Sequence, residues 1–274
     1  MDLDQNGRIL AVQGNMDDTV SQQVRAWQYN DEQWQVMGGA FSGMSLGNLA
    51  TNENGQAMLA LRSQGSVQFY LYNKEVQDWE ILGNEIVEGG GDVVVALSAN
   101  GQRAVTATST FDSSAGASSG RARVFQWTES SGSWEQIGQD LFGEVENDRF
   151  GTAVTISADG NTIAVSASFS NNGGYTQVEQ AGYVKIFRFN QNAPPSSSWD
   201  MMQTLNGREV NASMGLEVAL SADGNTLTAR KRDIVHVFQY SVTFTGVTGW
   251  IRLGQDLVPG EFCDGWAADG FPEG

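Results

Sequence analysis

The residues whose types and spacing best suit chemistry stand at the start of the chain, in Asp2-Leu3-Asp4-Gln5-Asn6-Gly7. Short oxygen-bearing side chains at alternate positions ahead of a glycine can curl around a hard cation, and calcium takes about six to eight such oxygens. Asp2, Asp4 and Asn6 are therefore the candidate metal ligands. The acid that would complete a calcium loop is missing, since Leu10 occupies its position and Gln13 stands where a closing glutamate would be. Asn52 and Asn54 form the nearest second case. The competing reading is an ordinary hairpin turn.

Other chemistries find less material. The chain has one histidine, His236, inside a strand-like VHVFQY run, and one cysteine, Cys263, near the end. A single cysteine excludes an intrachain disulfide and any multi-cysteine metal site. His236 shares its register with Arg25, Gln68, Arg123 and Lys185, so the position favours a long polar side chain more than a catalytic base. Gln68 breaks the series, and on a rotationally repeated fold Arg25, Arg123, Lys185 and His236 would make a partial basic ring; the alternative is that their stems pack while the heads reach water or a neighbouring acid. Acid pairs for glycoside chemistry occur only scattered through loops, as at Asp17-Asp18, Asp31-Glu32 and Glu144, Glu146, Asp148. No catalytic residue and no cofactor is assigned.

Fifteen Lys and Arg against 32 Asp and Glu give a formal charge of −17. Such a surface repels phosphate backbones and anionic lipid, which argues against nucleic acid as a partner. No apolar run reaches the length of a membrane-spanning helix, so membrane insertion is not expected. The first residues lack the basic and apolar regions of a signal peptide.

The elements that must position any site come from an internal repeat. Its anchors are Asn6-Gly7, Asn54-Gly55, Asn100-Gly101, Asp159-Gly160 and Asp223-Gly224. Each pair suggests a two-residue hairpin turn of the primed type, with positive φ at both central residues. Around each anchor four β-patterned runs recur. The third is the clearest: VRAWQY from Val24, VQFYLY from Val67, ARVFQW from Ala122, VKIFRF from Val184 and VHVFQY from Val235. A tryptophan then opens the fourth run, at Trp34, Trp79, Trp134, Trp199 and Trp250.

In the third run both alternating sets are apolar, with Val184 and Ile186 on one face and Phe187 and Phe189 on the other. A sheet of that kind needs a neighbour on each side. The expected fold is an all-β propeller of about five four-stranded blades in a single domain, 1–274, with blades near 1–43, 44–90, 91–147, 148–210 and 211–260 and a tail at 261–274. The five tryptophans are expected between blades. The first blade has almost no first strand, and Phe262–Ala267 of the tail could supply it; the alternative is a fragment of a larger propeller.

Phe150-Gly151, the run Thr152–Ser157, Asp159-Gly160 and then Gly182-Tyr183-Val184 to Phe187 resemble the FG-GAP repeats of integrin-α-type propellers. The fifth copy departs, with Met214-Gly215 in place of Phe-Gly. The resemblance implies a scaffold that binds proteins or glycans on one rim, often outside the cell; the sequon Asn211-Ala212-Ser213 points the same way. The functional expectation is a non-catalytic binding or assembly module, its rim built from loops 109–120, 169–182 and 191–198. A carboxylate-dependent hydrolase and a structural subunit are the alternatives.

Overall fold

The computed structural model describes residues 1–4, 6–14, 22–52, 55–89, 91–171, 179–242 and 248–258. It contains five antiparallel sheets, each a meander of four consecutive strands. Blade 1 runs Asp2–Leu3, Ile9–Gly14, Gln23–Asn30 and Gln33–Ser42. Blade 2 is Ser45–Thr51, Ala57–Ser63, Ser66–Asn73 and Asp78–Ile81, and blade 3 is Val93–Leu97, Arg103–Thr108, Arg121–Thr128 and Ser133–Gln136. Blades 2 and 3 each add a two-residue piece, Ile86–Val87 and Leu141–Phe142, on the third strand. Blade 4 is Val154–Ile156, Thr162–Ala167, Tyr183–Phe189 and Trp199–Asn206; blade 5 is Val218–Leu220, Thr226–Lys231, Ile234–Val242 and Thr248–Arg252. These sheets fall inside the repeat boundaries read from the sequence. Tail residues Phe262–Ala267 and Cys263 lie outside the described residues.

First strands of all five blades line one channel of about 830 Å³, through Asp2, Asn48, Ala96, Thr155 and Ala219 among others. The sheets stand radially around it, as in a β-propeller. Both faces of each inner sheet are covered because the side-chain period of a strand is two. In blade 4, Val184 and Ile186 enter the core shared with blade 5, while Phe187 enters the core shared with blade 3 and Phe189 packs against it.

Each junction follows one recipe. The later blade offers a pair of third-strand aromatics and the tryptophan of its fourth strand, and the earlier blade offers smaller aliphatics. At the junction of blades 3 and 4, Phe187, Phe189 and Trp199 meet Val105, Ala107, Ala122 and Val124. Trp134, Trp199 and Trp250 are accordingly 3%, 2% and 4% exposed. Blade 1 carries the same set, Trp27, Tyr29 and Trp34, with Trp27 in register with Leu10 and Val36 and Tyr29 opposite Trp34. None of the core clusters among the described residues covers it, and Trp34 is 45% exposed. Four of the five tryptophans therefore match the expected packing role in kind, and Trp34 does not.

The hairpin corners differ from expectation. Only the glycine of each pair is left-handed, with φ of 66°, 71°, 69°, 74° and 65° at Gly7, Gly55, Gly101, Gly160 and Gly224; Asn6, Asn100, Asp159 and Asp223 are not. Asn54 lies outside the described residues. The reason is a side chain that bridges a longer loop. Gly160 N donates to the Ser157 carbonyl (3.0 Å), Thr162 N donates to Ser157 Oγ (3.0 Å), and that hydroxyl donates to Asp159 Oδ1 (2.6 Å). Ser98 and Ser221 repeat the arrangement. These are four-residue loops in which a β-turn is closed by a left-handed glycine.

Phe150-Gly151 is a joint between blades. Phe150 N donates to the Ser119 carbonyl (3.0 Å), and Gly151 N donates to the Ser166 carbonyl (2.8 Å). Gly151 has φ +97°, and a Cβ there would stand 2.7 Å from that of Ala107. Met214-Gly215 makes the equivalent joint one blade on, through Ala181 and Arg230.

Candidate functional site

In an antiparallel meander, loops one-to-two and three-to-four emerge at one end, and the remaining connections at the other. Loops 109–120 and 169–182 join second to third strands, whereas 191–198 joins third to fourth. The three loops therefore do not share a rim. The first two sit at one end, with residues 172–178 outside the description, and 191–198 sits at the other end beside the Asx-Gly corners.

That second rim holds a pocket of about 660 Å³ between blades 4 and 5. Asp159 and Asp223 reach it from two successive corners, Asp200 from the fourth strand of blade 4, and Gln191 and Asn192 from the loop. Burial alone would push the Asp159 carboxyl up. Hydrogen bonds from Ser157 and Asn161, with Arg103 nearby, outweigh that and hold it below the usual carboxylate range. The Ser221 hydroxyl and the N–H groups of Asn225 do the same for Asp223. Asp200 accepts from Asn190 Nδ2 (2.9 Å). Arg188, the cation of the pocket, is engaged with Asn225 Oδ1 (3.3 Å) and stacks over Tyr240, its Cζ 4.7 Å from the ring centroid. Asp159 and Asp223 are thus held as anions by their own turns.

Asp4, Asp78, Glu135, Asp159, Glu209 and Asp223 are the described carboxyls with a displaced titration, and all are displaced downward. A glycosidase-type general acid needs a carboxyl raised toward neutrality. His236 is lowered too, by burial and then by Arg252 and Lys231.

Of the three candidate ligands, Asp2 and Asp4 place their oxygens in hydrogen bonds to the chain itself. Asp2 Oδ2 accepts from Asn48 Nδ2 (2.6 Å) and Leu49 N (2.7 Å), tying blade 1 to blade 2. Asp4 Oδ1 accepts from Arg8 N (2.7 Å) and Ile9 N (2.8 Å), and Oδ2 accepts from the Thr51 hydroxyl (2.9 Å). Asn6 is exposed in the turn. Among the described residues no group of three His, Cys, Asp or Glu side chains is arranged to hold a metal. The oxygens a cation would need are spent on the chain itself, Asp4 standing where later copies have Asn52, Ser98, Ser157 and Ser221.

Burial pushes Asp4 up, but the bonds from Ile9, Thr51 and Arg8 prevail and leave it lowered. A lowered folded pKa adds stability that is present above the unfolded value near about 4 and is lost as pH falls through the folded one. Asp4→Asn is expected to lower Tm at pH 7, and the gap to the parent is expected to shrink below about pH 4. Thermal melts across pH 2.5–7, taken as a range of roughly the carboxylate titration, check this; a gap that widens toward acid would contradict it.

The register-matched basic residues do not form a ring on the axis. They lie on third strands, and two of them, Arg123 and Lys185, turn to acids from the end of the preceding blade. Arg123 meets Glu88 (3.1 Å) and Lys185 meets Glu144 (2.9 Å). Glu88 is 1% exposed and also takes Arg121 (3.0 Å) and the Thr106 hydroxyl. Asp17 and Asp18 lie outside the described residues.

With this geometry in view, the likeness to known proteins is one of fold. No protein-family model matches the chain, and no curated protein matches it in sequence. Solved structures do. A functionally unknown protein from Desulfotomaculum acetoxidans is 14% identical, with a TM-score of 0.58 over 94% of this chain and 69% of that one. The periplasmic gluconolactonase of Pseudomonas aeruginosa is 17% identical, with a TM-score of 0.55 over 93% and 69%. Chaetomium thermophilum Sqt1, solved bound to the N-terminus of ribosomal protein L10, is 15% identical, with a TM-score of 0.52 over 88% and 58%. The chain is a β-propeller, and at these identities the likeness carries no activity with it.

Sequence reasoning missed the pocket at Asp159, Asp200 and Asp223. Two of its acids were read only as turn formers, and the third lies 41 residues from the first in sequence. It missed Glu88 as well, because a glutamate ahead of Gly89-Gly90-Gly91 looks like a solvated loop end.

Proposed function

We propose that this propeller is a non-catalytic module that binds a basic segment of a protein partner on the rim of the Asx-Gly corners. One observation carries the reading: the Asp159 and Asp223 carboxyls that line the pocket between blades 4 and 5 are held below the usual carboxylate range by hydrogen bonds within their own turns. Such groups attract and orient a cation, and they do not exchange a proton near neutral pH. The overall charge of −17 would speed the approach of a basic partner. Sqt1, a propeller of similar fold, has been solved with the N-terminus of a ribosomal protein, which supports a polypeptide segment as the kind of ligand this scaffold accepts. The FG-GAP resemblance of blade 4 points toward the same use, a ring that presents a rim to partners.

The test is fluorescence-polarisation titration with a labelled Lys/Arg-rich peptide at low and high salt. Combined Asp159→Asn, Asp200→Asn and Asp223→Asn substitution is expected to weaken binding about tenfold at low salt, through the loss of three exposed charge contacts. The salt dependence is expected to flatten in parallel. Equal affinity in the triple variant would sink the reading, as would turnover of a glycoside or lactone panel that the triple variant loses.

A further inference from the structure

Three successive blade junctions build the same corner with different parts. Between blades 2 and 3, Glu88 N donates to the Gly65 carbonyl (2.8 Å), and the Glu88 carboxylate fills the corner against Thr106, Arg121 and Arg123. Between blades 3 and 4, Gly143 makes that backbone bond to Gly120 (3.3 Å). The carboxylate there comes from Asp148, also 1% exposed, held by the hydroxyls of Tyr183 (2.9 Å) and Ser170. Between blades 4 and 5 the backbone bond belongs to Gly207, which donates to Gly182 (2.8 Å). The position of Asp148, two residues ahead of the Phe150 joint, is taken by buried Ala212, two ahead of the Met214 joint. Neither supplies an acid.

The cationic side of the corner is kept all the same. His236 pairs with Ala229 as Arg123 pairs with Thr106 and Lys185 with Val165. Lys231 occupies the register position of Thr108 and is 8% exposed. Its partner Glu209 (2.6 Å) reaches in from solvent. A cavity of about 810 Å³ lies at this corner, bounded by Gly207, Met214, Lys231, His236, Phe238 and Trp250, with Glu209 the acid among its lining residues. Two buried nitrogens on these walls have no hydrogen-bond partner, His236 Nε2 and Trp250 Nε1. His236 Nε2 is 3.1 Å from Asp256 Oδ1 but not aligned as a hydrogen bond, and that oxygen is shared with Arg252. Among the equivalent tryptophans, the indole N–H of Trp199 donates to the Ile137 carbonyl (3.1 Å) and that of Trp79 to the Met37 carbonyl (2.9 Å), whereas Trp134 Nε1 also has no partner.

We propose that this cavity binds a small organic anion, whose carboxylate or phosphate takes the place that Glu88 and Asp148 fill at the neighbouring junctions. Lys231 and His236 meet the charged end, the Trp250 N–H adds a donor, and Phe238, Met214 and the indole face receive an apolar or ring-shaped body. The volume lies in the range of small-molecule pockets. The Lys231 end of this site lies away from the Asp159 pocket, and the proposal stands or falls separately from the protein partner proposed there.

Isothermal titration of the full chain with benzoate, phenyl phosphate, inorganic phosphate and neutral benzamide tests the proposal. Benzoate or phenyl phosphate is expected to bind, with a change in tryptophan fluorescence, and benzamide is not. Lys231→Gln is expected to weaken binding about tenfold, the loss of one partly buried charge contact. Ala212→Asp, which returns the acid of the previous junction, is expected to abolish binding and leave the fold intact, so the proposal stays exposed even if Lys231→Gln does not fold. No binding by any of the three anions at ~10 mM, an affinity floor of only a few kcal/mol, would overturn it. So would benzamide binding as well as benzoate, inorganic phosphate binding as well as phenyl phosphate, or binding unchanged in Ala212→Asp.

Discussion

Replacing Trp199 by alanine is expected to cost about 4 kcal/mol of folding stability, whereas the same change at Trp34 is expected to cost under about 1 kcal/mol. The two residues hold one repeat position, so intrinsic propensity and local sequence do not separate them. Their surroundings do. Trp199 is packed between blades 3 and 4 against Phe189 and the aliphatics of blade 3, and its N–H is bonded to Ile137. Its removal leaves a cavity and an unpaired carbonyl. Trp34 leans on Tyr29 at 5.3 Å between ring centroids and is otherwise open on the outer side of blade 1. Urea melts of both variants, read for midpoint at constant slope, give the comparison. Equal losses would mean that blade 1 has a covering neighbour, and the arrangement of blades described above would be wrong.

Glu88→Gln is expected to lose about 3–5 kcal/mol, the cost of removing one member of a buried ion cluster. Arg121 and Arg123 would be left with side chains only 12% and 16% exposed and no full countercharge. Glu217→Gln provides the control. Its partner Arg230 is 38% exposed and Glu217 itself 73%, and an exposed pair contributes roughly 0–1 kcal/mol. Replacing Glu88, Arg121 and Arg123 together by apolar residues is expected to recover most of the loss, because the penalty lies in the unpaired charges. Calorimetric unfolding of the three variants checks this; a Glu88→Gln loss no larger than that of Glu217→Gln would show that the cluster is solvated.

Much of the architecture was legible because it rests on short-range pattern. Alternation in VKIFRF specifies two buried faces, and the recurrence of Trp34, Trp79, Trp134, Trp199 and Trp250 specifies a repeat, whatever the loops do. The corners were legible as turns but not as to type, since Asp159-Gly160 suits a two-residue hairpin until Ser157 is known to bridge to Thr162. The sites were the least legible. Asp2 and Asp4 have the spacing of a cation loop, and only the neighbouring blade, through Asn48, Leu49 and Thr51, shows where their oxygens go. The anion cavity depends on matching Gly207 to Glu88 and Ala212 to Asp148. Loops of unequal length separate those positions, so backbone bonds reveal the match and residue spacing does not.

The functional account depends on carboxylates that stay charged. A carboxyl ¹³C NMR titration measures this residue by residue. Asp159 and Asp223 are expected to titrate below the ordinary aspartate value of about 3.9. Either of them titrating well above that value, toward neutrality, would make the pocket a proton-transfer site and contradict the reading of the rim as a fixed anionic surface.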